Sequence, residues 1–167
     1  NGMRYTLLIL VPFVVLTATN AKEILNLIYG VEYAPAAGIL FILCFTLFVY
    51  SLFYLTSTII SGTGNAKRIT KVTGIVLILN VMLNFLLIPK YGAEGAAIGA
   101  LIALVIGFLI NAKYIYGKYK SFVSWLLVVK LVVVSGIVYL ISMYTPYEGI
   151  YLIIKYALLL VVYVGLL

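Results

Sequence analysis

The chain has no histidine, four acidic residues and a single cysteine among its 167 residues. All four acids are glutamates, Glu23, Glu32, Glu94 and Glu148, and each sits between apolar runs rather than inside one. Metal-ligand sets, Ser/His/Asp triads, paired carboxylates and carboxylate or histidine proton relays each need groups that are missing here. Cys44 on its own can form neither an internal disulfide nor a thiolate cluster. No catalytic residue, metal ligand or cofactor site emerges. The expectation is a protein that is not an enzyme and needs no cofactor.

What the chain does have is apolar surface: 66% of its residues are hydrophobic and only 9% are charged. Soluble domains have about 45–50% apolar and about 25% charged residues, so a water-soluble fold of this composition could not cover itself. Six apolar runs, at 4–21, 36–61, 69–88, 95–116, 125–144 and 150–167, approach or exceed the roughly 17–25 residues needed to span a bilayer. The second is longer than a span requires, which tilt or an interfacial end accommodates. The dyad alternation of a membrane β-barrel is absent. The expected fold is therefore all-α, a bundle of six transmembrane helices forming one domain over 1–167.

Charge sets the expected orientation. Arg4, Lys67, Arg68, Lys71, Lys113, Lys118 and Lys120 fall at one set of span junctions, while Lys22, Lys90 and all four glutamates fall at the other. Lys and Arg concentrate in cytoplasmic loops, which assigns the first group, with loops 62–68 and 117–124, to the cytoplasm. The net charge of +7 is not a nucleic-acid signature, because the basic residues lie in short juxtamembrane turns and no basic-aromatic face exists on a soluble element. Anionic inner-leaflet lipid is the natural counter-charge. The 15 tyrosines fit the same frame. Most cluster at the two expected interfaces, where a ring that is apolar at its body and wet at its hydroxyl anchors a helix. Tyr50, Tyr54, Tyr139, Tyr156 and Tyr163 fall deeper and are expected to find internal partners.

Along the chain, KEILNLIY (22–29) suits a short helix in the outer interface, and Pro35 suits a helix start. The SGTGN segment (61–65) reads as a turn; it lacks the GK[ST] and strand–helix context of a phosphate loop. In the fourth run Gly95, Gly99, Ala103 and Gly107 recur every four residues, which makes a groove for close helix packing within the bundle. Asn80 and Asn84 share one face of the third run at i and i+4. Interhelical hydrogen bonding is the default for such a pair, and lining a polar translocation path is the sharper alternative. Lys130 and Lys155 lie inside apolar runs. Snorkelling to the interface is the bland reading, and an intramembrane cation that holds a phosphate or pyrophosphate headgroup is the functional one.

The most specific stretch is 80–100, NVMLNFLLIPKYGAEGAAIGA: an apolar helix, a Leu-Ile-Pro stop, a short charged turn and a new helix opening on Gly and Ala. Together with the "LIYG-x-EYAPAA" segment, the "G-x-G-NAK" turn and the lysine-rich turn after the fourth run, it resembles the C-terminal region of polysaccharide-biosynthesis flippases. These are the lipid-linked-oligosaccharide exporters of the multidrug/oligosaccharidyl-lipid/polysaccharide superfamily. The resemblance covers about residues 24–120. It implies that the chain supplies most of the second lobe of a twelve-to-fourteen-helix transporter in the cytoplasmic membrane. Alternating access would then carry a polyprenyl-phosphate-linked glycan across the bilayer, with the lipid bilayer and a missing N-terminal lobe of the same protein as partners. The start at Asn1-Gly2 and the apolar C-terminus agree with a piece of a longer chain. On this reading Lys155, Lys130, Asn80 and Asn84 are the candidate substrate-binding residues. The alternatives are a cation-coupled multidrug exporter of the same superfamily and a non-transporting scaffold of a glycan-synthesis complex; a glycosyl or acyl transferase ranks last.

Overall fold

The computed structural model describes Leu10, Phe13, Val14 and residues 17–119. Among these every regular element is helical. The expected runs 125–144 and 150–167, most of 4–21, and with them the count of six, lie outside the described residues. The chain divides between Cys44 and Phe45 into two units, and Phe45–Phe122 form one of them.

In the first unit, α1 spans Ala21–Tyr29. Asn20 opens it with its backbone carbonyl, which accepts from Ile24 N at 2.9 Å. Glu23 in the first turn complements the helix dipole. Gly30 closes it at φ +94°, a conformation that favours glycine, with its N–H donating to Asn26 O at 3.1 Å. A 3₁₀ turn, Val31–Ala36, then absorbs Pro35 and hands the chain to α2, Ala37–Gly62.

The long helical element Ala66–Tyr119 is two helices, because Gly92 (φ +57°, ψ −134°) interrupts it. We call its legs α3 (66–91) and α4 (93–119). A straight helix of 53 residues would be about 80 Å long at 1.5 Å per residue, far beyond a bilayer core of about 30 Å. The break at Gly92 removes that conflict by folding the element into a hairpin. Its register follows from which residues meet. Gly95 lies against Leu87, Gly99 against Leu83 and Asn84, and Gly107 against Val76; Arg68 packs on Tyr114. Every pair is symmetric about Tyr91–Gly92, so the legs are antiparallel. Asn111 of α4 bonds Thr56 and Ser57 of α2, residues 55 and 54 positions earlier, so α2 and α4 run parallel. Phe45–Phe122 therefore fold up, down and up.

The core of this unit is Phe53, Val72, Val76 and Ala103, with Leu79, Leu83, Leu104 and Phe108 packed on it. Ala103 is fully buried, and the neighbouring Gly99 and Gly107 let α3 come close. The four-residue recurrence of small residues thus serves packing between α3 and α4. Elsewhere α3 is bare: Leu77, Ile78, Val81, Met82, Phe85 and Leu86 are all more than half exposed. So broad an apolar face would drive aggregation in water, and lipid or further helices are what can cover it. Elements Val31–Gly62 and Ala66–Lys118 are long and apolar enough to cross a membrane. The protein is an α-helical, multi-pass membrane protein.

Two local expectations need correction. The Leu-Ile-Pro sequence does not stop α3, which runs through Pro89 to the break at Gly92. A proline there lacks the N–H that would bond Phe85 O and crowds that carbonyl, a cost borne by the turn before it, while the chain after it continues to Gly92. The deeper tyrosines Tyr50 and Tyr54 are not internal either: they are 50% and 61% exposed, and their rings stack on each other at 6.4 Å along the outside of α2.

Candidate functional site

Three polar features interrupt the apolar surface of the described helices. The first is the asparagine pair. Asn80 and Asn84 lie a turn apart on α3, and Asn84 Nδ2 donates to Asn80 Oδ1 at 2.8 Å. Among the described residues the pair is bonded along one helix and not across two. Asn84 Oδ1 is buried and accepts no hydrogen bond, and a Cβ on Gly99 would lie 2.7 Å from it. Glycine at 99 makes room for the Asn84 carboxamide. Thr73, Leu77, Asn80 and Asn84 follow the three-and-four spacing of a single helix face. Thr73 is exposed, and both asparagines are half-buried. A polar stripe thus runs along α3, beside its packed face.

The second feature is a clamp that the sequence did not single out. Asn111 and Thr56 are fully buried. Asn111 Nδ2 donates to Ser57 Oγ at 3.0 Å and to Thr56 Oγ1 at 3.5 Å, which ties α4 to α2. Thr56 in turn donates back to its own helix, at Leu52 O and Phe53 O. Asn111 Oδ1 is left without a partner, and a buried unsatisfied acceptor costs about 1–3 kcal/mol. Ser57→Ala should destabilise the full-length protein by about 0.6–1.7 kcal/mol, the range for interhelical bonds in membranes. Adding Asn111→Leu should recover part of that loss, because it also removes the orphan acceptor. Denaturant unfolding in detergent micelles would check the order, and a larger loss in the double variant would contradict it.

The third feature is electrostatic. The turn Thr63–Asn65 and the C-terminal end of α4 share one end of the three-helix unit, as the Arg68 guanidinium 4.0 Å over the Tyr114 ring requires. Lys118 also approaches that ring, at 6.0 Å. Lys67, Arg68, Lys71, Lys113 and Lys118 are all exposed at this end. Glu94 lies at the opposite end, beside the Gly92 turn. Charge is thus segregated along the axis, and the geometry itself brings together residues that are some fifty positions apart in sequence. Among the described residues no group of His, Cys, Asp or Glu could hold a metal ion.

Of the four candidate substrate-binding residues, the structure describes Asn80 and Asn84 and brings them together. Lys130 and Lys155 lie outside the described residues.

A protein-family model described as "Lipid II flippase MurJ" matches residues 1–161. The chain belongs to this flippase family. Relatives agree with that placement. The chain is 38% identical over 106 residues to the capsular polysaccharide biosynthesis protein CapF of Staphylococcus aureus, covering 63% of this chain and 26% of that protein. It is 24% identical over 124 residues to the probable low-salt glycan biosynthesis flippase Agl15 of Haloferax volcanii, covering 74% of this chain and 25% of that one. It is 34% identical over 94 residues to the uncharacterised membrane protein MJ1068 of Methanocaldococcus jannaschii, covering 56% of this chain and 18% of that one. The chain therefore spans about a quarter or less of these relatives. No solved structure matches it. The resemblance read from the 80–100 hairpin to polysaccharide flippases agrees with this family. The family and the Haloferax relative are named for transport rather than for catalysis.

Proposed function

We propose that this flippase-family chain forms most of the second lobe of a transporter that moves polyprenyl-phosphate-linked glycans across the cytoplasmic membrane by alternating access. The observation that carries the reading is the family match over residues 1–161, joined by glycan-biosynthesis relatives in a bacterium and an archaeon. The relatives' greater length supports a further lobe as the partner that completes the cavity. The physical character of the described helices suits the task. A lipid-linked glycan presents an apolar chain, a charged phosphate and a polar sugar, so its path needs polar groups on otherwise apolar helices. The Asn80–Asn84 pair supplies them without charge. Lys130 and Lys155 would supply the cations for the phosphate.

The basic end of the α2–α3–α4 unit, with loops 62–68 and 117–124, faces the cytoplasm in this reading. In a Cys44→Ala background, Asn65→Cys should react with an impermeant maleimide only after the cells are opened. Lys90→Cys should react in intact cells, and the reverse pattern would overturn the orientation. The transport roles are tested in the full-length protein by scoring movement of labelled polyprenyl-linked sugar. Lys130→Gln with Lys155→Gln, and separately Asn80→Leu with Asn84→Leu, should each slow it. Unchanged transport in properly folded variants removes those residues from the path.

A further inference from the structure

One cavity among the described residues belongs neither to the asparagine pair nor to the Asn111 clamp. It has a volume of ≈ 540 Å³ and lies where α2 ends and α3 begins, open on one side. Its walls include Ser61, Thr70 and Thr73, the apolar Ile69 and Leu77, and Gly74; the Thr70 hydroxyl donates back to Ala66 O at 3.3 Å. Gly74 is the informative member. Gly95, Gly99 and Gly107 each lie against a neighbouring helix, whereas a Cβ on Gly74 would meet nothing within 4 Å. A glycine inside a helix costs stability relative to alanine, and packing among the described residues does not account for this one. What its missing side chain does is widen the cavity.

The chemistry around the opening is one-sided. Lys67 and Lys71 lie three residues before Thr70 and Gly74 respectively, so both flank that edge of the cavity on the helix surface, and both are exposed. Arg68 is turned to the other side, where it stacks on Tyr114. Among the described residues of Phe45–Phe122 the only acid is Glu94, at the far end of the hairpin. Toward the middle of the helix the wall becomes Leu77, 64% exposed, with the exposed Ile78 and Val81 beyond it. The cavity thus has the Thr73 hydroxyl in its wall, two exposed lysines placed by helix spacing along one edge, and an apolar runway leading toward the bilayer interior. That is the pattern of an amphiphile whose headgroup is a phosphate and whose tail is a hydrocarbon chain.

We propose that this cavity is a binding site for an anionic phospholipid of the surrounding leaflet, with the phosphate held by Lys67, Lys71 and the Thr73 hydroxyl. One acyl chain lies past Gly74 along Leu77. The site stands on the surface of a membrane-spanning unit and does not depend on what the transporter carries.

Native mass spectrometry of the full-length protein in neutral detergent, titrated with dioleoyl-phosphatidylglycerol or dioleoyl-phosphatidylcholine, reads it directly. The wild type should retain one phosphatidylglycerol in preference to phosphatidylcholine. Lys67→Gln with Lys71→Gln should weaken retention by about fivefold for each lysine removed. Gly74→Leu leaves every charge in place and fills the space, so it should abolish the preferential retention; its thermal melt in lipid-free detergent should match the wild type. Equal retention of both lipids by the wild type overturns the proposal, as does undiminished retention by Gly74→Leu, which would indicate diffuse attraction to the basic end. Displacement of phosphatidylglycerol by a polyprenyl phosphate at lower concentration would reassign the cavity to the transported lipid and overturn the phospholipid assignment.

Discussion

Gly95→Val should separate the two legs of the α3–α4 hairpin and cost the full-length protein about 3 kcal/mol of stability, the upper part of the range for overpacking. A Cβ at position 95 would lie 2.5 Å from Leu87 O and 2.7 Å from Leu87 C. Those are backbone atoms of a helix on the facing leg, so no rotamer change relieves the overlap and the helices themselves must move. Gly99 makes the useful contrast. There the overlap is with the carboxamide end of Asn84, which can swing aside, and with the Leu83 Cβ at 3.3 Å. Gly99→Ala should therefore cost much less than Gly95→Ala. Denaturant titration of the two alanine variants in one detergent gives the comparison. Equal stability would show that the legs are not held as closely as described.

Gly92→Val should be the second severe change, for a different reason. Nothing lies within 4 Å of a Cβ at this position, so space is ample. The obstacle is the backbone, at φ +57° and ψ −134°. This is the mirror of the extended region, which glycine enters freely and which costs an L residue about 1–3 kcal/mol. Valine, with its branched Cβ, is the poorest choice there. Asparagine tolerates the left-handed helical region but not this one, so Gly92→Asn should fail to rescue the hairpin. Proteolysis at the 90–94 turn in the variant, with none in the wild type, would report its opening. A wild-type melt and protease pattern in Gly92→Asn would show that the turn relaxes into another conformation.

These two glycines show how far the sequence could be read. The repeated small residues at 95, 99, 103 and 107 mark a close helix contact because spacing alone puts them on one face. The location of a turn between 88 and 95 is likewise evident from the Pro, Lys, Gly and Glu gathered there. Which residue breaks the helix was not. Proline is the stronger breaker in general, yet it strains the turn before it and leaves the following residues free to stay helical, and only the backbone angles show that Gly92 does the breaking. The Asn80/Asn84 spacing fixes a shared face, but not whether the pair bonds to itself or to a neighbouring helix. Helix spacing carries no information about the partner side chain. Asn111 escaped notice because it stands alone near the end of an apolar run. A signal existed: Gly107 and Ile115 share its face, and the Thr56–Ser57 pair offers hydroxyls on another span. Pairing the two needs the register of α2 against α4, which no local pattern supplies. The Arg68–Tyr114 contact has the same origin, since it follows from hairpin symmetry once the turn is placed.

The basic end also connects the fold to function. One end of the α2–α3–α4 unit gathers Lys67, Arg68, Lys71, Lys113 and Lys118, and the other carries Lys90 and Glu94. In the proposed orientation, that asymmetry would direct insertion of the unit and set a cationic rim against anionic lipid. A transporter for lipid-linked phosphates gains from such a rim, because it raises the local concentration of anionic headgroups at the side where they are loaded.

The role proposed for this flippase-family chain is the movement of lipid-linked glycans. The most direct measurement reconstitutes the purified full-length protein into vesicles with a fluorescent polyprenyl-diphosphate-linked sugar placed in one leaflet. Accessibility of the sugar to an impermeant reagent is then followed on the other side. The expected result is protein-dependent appearance of the sugar on the opposite leaflet, absent from vesicles without protein. Correctly folded protein that leaves the sugar where it was placed, while it moves a cationic drug instead, would contradict it.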